Sequence, residues 1–100
     1  MAILIRQGEF QADYDSRGDV LYVSRGNPRA SESERHDRGV LLRYAFDNGA
    51  ASGVTIIGYH KNGWGGDLSE LAQIVVNHLG GNRDDALAIM SAATESPNAY

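Results

Sequence analysis

The sequence contains no cysteine, which excludes disulfides, thiolate nucleophiles and Cys-ligated zinc or iron–sulfur sites. Long apolar runs are lacking too. Stretches such as Ile74–Val76 fall far short of the roughly 20 residues that a membrane-spanning helix needs. No basic region precedes the apolar start Met1-Ala-Ile-Leu-Ile5 and no small-residue cleavage site follows it, so no secretory signal is read and a cytoplasmic location is expected. Positive charge is in deficit: 9 Lys and Arg against 13 Asp and Glu leave a net charge of −4. That balance argues against nucleic acid as a partner. No serine sits in a nucleophile-elbow context, and no glycine loop has the phosphate-binding pattern.

What is present is one domain's worth of chain, 100 residues, with an ordinary 42% apolar and 22% charged composition. Residues 10–60 carry the two-residue period of β-strands, residues 67–94 read as a helical pair, and 95–100 as a frayed tail. The fold class expected is α+β: a four-stranded antiparallel β-meander followed by two C-terminal helices.

Phe10, Ala12 and Tyr14 alternate with polar residues, and Val20-Leu-Tyr-Val23 resumes the pattern after a turn. A three-residue loop Ser16-Arg17-Gly18, with Gly18 left-handed, sets Tyr14 against Val20, Ala12 against Tyr22 and Phe10 against Ser24. In the second hairpin, a loop Asp47-Asn48-Gly49 with left-handed Gly49 sets Phe46 against Ala50, Tyr44 against Ser52, Leu42 against Val54 and Val40 against Ile56. A two-residue Asn48-Gly49 turn would split that apolar set. In this register Leu21, Val23, Leu41 and Ile57 point to the opposite face. Apolar residues on both faces imply a second cover, and another copy of the chain is the simplest one. The polar connection Arg25–Arg35, with Pro28, reads as a mobile link holding an edge strand in its later part.

Downstream, Asp67 and Glu70 have capping-box spacing ahead of a helix to Leu79 that Gly80-Gly81 ends. Asn82 caps a second helix, with Asp84 and Asp85 in its first turn.

The run Tyr14-Asp15-Ser-Arg-Gly-Asp19-Val-Leu-Tyr-Val23, then Gly39-Val-Leu-Leu-Arg-Tyr44 and Gly53-Val-Thr-Ile-Ile57, resembles the small prokaryotic domain of unknown function 2283 family. The resemblance covers about residues 10–60. It implies no established activity, and through members that look like partners of small toxin-like proteins it implies an antitoxin-type binding role; no cofactor is expected. The longer Phe46–Ser52 turn and the two extra helices depart from the family pattern and put its oligomeric arrangement in doubt.

Two sets of residues are functional candidates. The first is an interface of Leu21, Val23, Leu41, Ile57 and Trp64, serving a homodimer or a small protein partner; Trp64 is a packing residue or a contact residue, since tryptophan is enriched at binding hot spots. The second is the end of the second hairpin, where the register sets His36 opposite His60 beside an Asp37–Tyr59 pair. Two imidazoles and a carboxylate there could hold a divalent metal or share a proton, as in a small metal-dependent or hydrolase-like enzyme. Fraying polar residues at a strand end are the plainer reading. His78 is read as sitting against its helix's C-terminal dipole. Asp13, Asp15 and Asp19 read as turn formers ahead of acid–base groups. Arg25, Arg29, Arg35, Arg38 and Arg43 read as solvated arginines ahead of a basic patch.

Overall fold

A computed structural model describes residues 3–7, 9–26 and 30–95, the first five by backbone alone. Six strands precede two helices: β1 Ile3–Gln7, β2 Phe10–Asp15, β3 Val20–Arg25, β4 Ser31–Arg35, β5 Val40–Ala45, β6 Ala51–Ile57, α1 Leu68–Leu79 and α2 Arg83–Glu95. The α+β class and the helical pair at the C-terminal end match the expectation. The strand count and order do not. All strands pair antiparallel in the order β1-β2-β3-β6-β5-β4. The chain passes from β3 to the far edge and works back, so β3 meets β6 instead of β5. The expected meander is interrupted there, and β1 and the polar edge strand β4 lie outside its four strands. The frayed tail falls outside the described residues beyond Glu95, as does Pro28.

The first hairpin corrects its expected register by one residue. Asp15 pairs with Val20, Tyr14 with Leu21 and Ala12 with Val23. The loop is Ser16–Asp19, and its left-handed residue is Asp19 at φ 56, not Gly18. Asp tolerates this conformation better than most residues. The turn is held from inside by Asp15, whose Oδ1 accepts from the N–H groups of Arg17 (3.0 Å) and Gly18 (3.3 Å). A slip of one residue moves every side chain to the other face. Leu21 and Val23 therefore join Phe10, Ala12 and Tyr14 in the core.

The second hairpin pairs Val40 with Ile56 and Leu42 with Val54 as expected, and Gly49 is left-handed at φ 69. Beyond Arg43 the register shifts, so that Tyr44 meets Ala51 instead of Ser52. The extra residue in β6 is a bulge that sets Ser52 and Gly53 together against Arg43.

Both helices cover the same face of the sheet, α1 over β6 and β3, α2 over β1 and β2. Leu71, Ala72, Val75 and Leu79 of α1 and Ala86, Ile89, Met90 and Ala93 of α2 close on Phe10, Leu21, Val23, Val40, Val54 and Ile56. Each large side chain so buried contributes about 1.5–3 kcal/mol. Asn82 caps α2 as expected, its Oδ1 accepting from Asp84 N–H (2.8 Å) and Asp85 N–H (3.1 Å). The capping box at α1 does not form: Asp67 makes no side-chain cap bond, and its Oδ2 accepts from Arg38 Nη2 at 3.0 Å. No helix among the described residues is long and apolar enough to cross a membrane.

Candidate functional site

The histidine constellation does not assemble. The paired residues of β5 and β6 end at Val40–Ile56 with a last bond from Ile57 N–H to Gly39 O, and left-handed Arg38, Gly39 and Gly58 take the backbone out of strand conformation there. His60 packs edge-on against Tyr59 (5.0 Å) and Tyr14 (5.7 Å). His36 lines a shallow pocket near Leu42, Ile74, Asn77 and His78. Asp37 serves its own turn, Oδ1 accepting from Arg38 N–H at 3.0 Å. Among the described residues no group of three or more His, Asp or Glu is placed to hold a metal ion. His78 donates from Nε2 to the carbonyl of Arg43 at 2.9 Å, tying the end of α1 to β5.

The expected interface set also separates. Leu21, Val23 and Trp64 are buried on the helix side. Trp64 Nε1–H donates to Arg38 O at 2.9 Å, and the Arg38 guanidinium stacks 3.8 Å from its ring centroid. Leu41, half-buried, and Ile57, 49% exposed, keep their places on the open face beside Tyr22, 41% exposed. The arginines disperse as well. Arg25 pairs with Glu9 and donates to Leu79 O, Arg38 pairs with Asp67, and Arg43 lies on the open face.

On that open face, where no helix packs, lies a pocket of about 200 Å³. Gly53 forms its floor, because a position without a side chain leaves a dent in the sheet. A Cβ there would meet Val23 O at 3.0 Å. Gln11 and Asp13 of β2 and Tyr22 and Ser24 of β3 stand on one side. Arg43 of β5 and Ser31 of β4 stand on the other, with Ser52 and Thr55 of β6 between. The bulge is what brings Ser52 to this face.

Two of these lining residues hold a buried polar atom without a hydrogen-bond partner among the described residues: Asp13 Oδ1 and Ser52 Oγ. Ser52 as a whole is only 9% exposed. Buried polar atoms are almost always paired, and an unpaired one costs about 1–3 kcal/mol. By contrast Gln11 is satisfied, Nε2 donating to Gly26 O at 2.7 Å, and Arg43 Nε donates to Ser31 Oγ at 2.9 Å. The terminal nitrogens of Arg43 have no partner among the described residues.

Burial, and secondly the nearby charge of Asp15, raise the Asp13 carboxyl above its ordinary pKa. A raised carboxyl pKa means the folded state holds its proton more tightly than the unfolded state. The ionised form therefore destabilises the fold at neutral pH, and this is relieved as pH falls through the raised pKa. Asp13→Asn is accordingly expected to stabilise the protein at pH 7, by roughly 0.5–1 kcal/mol. Thermal melts at pH 7 and pH 4 check it: the gain should shrink at the lower pH, and a variant less stable at pH 7 contradicts the assignment.

Sequence reasoning placed Asp13 and Arg43 but joined neither to a site. Two local signals pointed here: an Asp inside a strand, where Asp is depleted, and a Gly inside a strand, which often marks a bulge or a close approach. Compared with protein-family models, curated proteins and solved structures, the chain matches none of them.

Proposed function

We propose that this protein is a non-catalytic binding module whose open sheet face receives its ligand in the pocket over Gly53. The observation that carries the reading is that Asp13 and Ser52 line one concave site and each holds a buried oxygen, Asp13 Oδ1 and Ser52 Oγ, without a partner among the described residues. A fold that retains an uncompensated carboxylate and hydroxyl gives up stability, and such losses concentrate where a site must meet something else. The helices occupy the opposite face, so neither of them competes for this one. The resemblance of residues 10–60 to a family with no implied activity and an antitoxin-type binding role adds to the same reading.

The test is a set of ¹H–¹⁵N spectra recorded while small amines, carboxylates, amino acids and polyols are added. Shifts are expected to cluster at the amides of Ser24, Arg43, Gly53 and Thr55. Shifts that lie elsewhere, or none with any probe, overturn the reading.

Self-association is a second reading, favoured by Tyr22 and Ile57 standing exposed on the pocket's side of the sheet. With Leu21 and Val23 in the core, its apolar area is smaller than the expected register implied. A dimer in sedimentation equilibrium that Ile57→Lys dissolves supports it, and a monomer at high micromolar concentration removes it.

A further inference from the structure

We infer that the ligand class of the pocket is a small zwitterion, carrying an ammonium group and a carboxylate on an amino-acid-sized frame. This rests on the pocket being a binding site and goes on to its chemistry. The two charged walls have opposite sign: Asp13 on β2 and Arg43 on β5 line the same pocket from strands three apart, about 14 Å between backbones. Their side chains enter the space between. Among the described residues, the Asp13 carboxylate has one buried oxygen with no donor, and the terminal nitrogens of Arg43 have no acceptor.

The alternatives each leave a wall uncompensated. An inorganic anion would suit Arg43 and be repelled by Asp13, whose desolvated charge is screened little. A lone organic cation would suit Asp13 and meet Arg43. A neutral polyol would leave the half-buried Asp13 carboxylate without an opposite charge among the described residues, which is costly. A metal ion would find one carboxylate among hydroxyls, an amide and a guanidinium. A zwitterion supplies a donor cation to Asp13 and an acceptor anion to Arg43, and both resulting bonds are charge-assisted. Ser24, Ser31, Ser52, Thr55 and the Tyr22 hydroxyl are left to complete the two ends. The volume, about 200 Å³, is below the roughly 300–1,000 Å³ of drug-sized sites, which selects a small frame.

The experiment titrates the full chain with L-alanine, ethylamine, propionate and glycerol, followed at the Gly53 and Thr55 amides. L-Alanine is expected to bind, with ethylamine and propionate each weaker by about tenfold or more. Asp13→Asn and Arg43→Gln should each weaken L-alanine by a similar factor; melting curves establish that both variants fold. Ethylamine or propionate binding as tightly as L-alanine overturns the assignment, and so does Asp13→Asn leaving the affinity unchanged. Glycerol moving these amides while L-alanine does not overturns the ligand class and spares the pocket. No response to any probe overturns both.

Discussion

Replacing Trp64 by alanine is expected to cost about 3–5 kcal/mol, which is most of the margin of a domain whose total stability is about 5–15 kcal/mol. The indole is 1% exposed and joins three parts of the chain that are distant in sequence. Its Nε1–H holds the Arg38 carbonyl at 2.9 Å, at the left-handed turn between β4 and β5. Its face carries the Arg38 guanidinium, which in turn reaches Asn62 O at 2.8 Å and Asp67 Oδ2 at 3.0 Å at the start of α1. Removing the ring opens a cavity and frees the arginine at once. Trp64→Phe keeps an aromatic ring and loses the hydrogen bond, so its cost should come nearer to 1–2 kcal/mol. Urea unfolding of the two variants measures both. Equal losses would mean the hydrogen bond matters and the packing does not, and a loss below about 1 kcal/mol in Trp64→Ala would contradict the burial.

Why sequence reasoning left Trp64 undecided between packing and contact is a matter of range. A tryptophan among glycines has no periodic neighbours to declare its face, and its partner Arg38 is 26 positions away. The same distinction sorts the strands. Val40, Leu42, Val54 and Ile56 were legible from their shared apolar face; the turn itself pairs Ala45 with Ala50, not Phe46, one residue out of step, and the bulge at Ser52 restores the register. The first hairpin departs from its expected register because the bonds of Asp15 inside the turn are joined by backbone groups of residues 58–61 that bond Asp19 from outside, and that outside half is not local in sequence. β4, Ser-Glu-Ser-Glu-Arg, is the edge strand expected in the later part of Arg25–Arg35, but its alternation carries no apolar signal to set its partner. The pocket draws its lining from five strands, so its assembly depends on the β3–β6 adjacency, which no local pattern encodes. Asp13 and Gly53 are each out of place in a strand, but the sequence alone reads the first as a turn former and the second as the start of a strand.

Asp19→Ala is the second substitution with a large expected effect, about 3 kcal/mol, because a single carboxylate closes the fold at this end. Asp19 accepts from the Tyr14 hydroxyl at 2.8 Å, from His60 N–H at 2.9 Å and from Lys61 N–H at 3.0 Å. Its backbone carbonyl takes the N–H groups of Gly58 and Tyr59. Alanine would abandon three donors and hold a left-handed φ that asparagine tolerates better, so Asp19→Asn should cost less. The two forms also differ with pH. Burial alone would raise the Asp19 carboxyl, but the N–H groups of His60 and Lys61, the Tyr14 hydroxyl and the charge of His60 together hold it below its ordinary value. Burial and the bond to Asp19 in turn hold the Tyr14 hydroxyl well above the usual tyrosine range. A carboxyl with a lowered folded pKa contributes stability above its unfolded pKa and loses it as pH falls through the folded one. The difference in stability between the native protein and Asp19→Asn should therefore be larger at about pH 5 than at about pH 2 and shrink progressively in the acid range below about pH 4. The titration of Asp13 is common to both proteins and cancels in that difference. Urea midpoints from pH 2 to pH 7 measure it. A gap as wide at pH 2 as at pH 7 would mean that the turn is held by its backbone bonds and that the carboxylate is incidental. A closing gap would establish Asp19 as the charged lock between the first hairpin and the segment after β6.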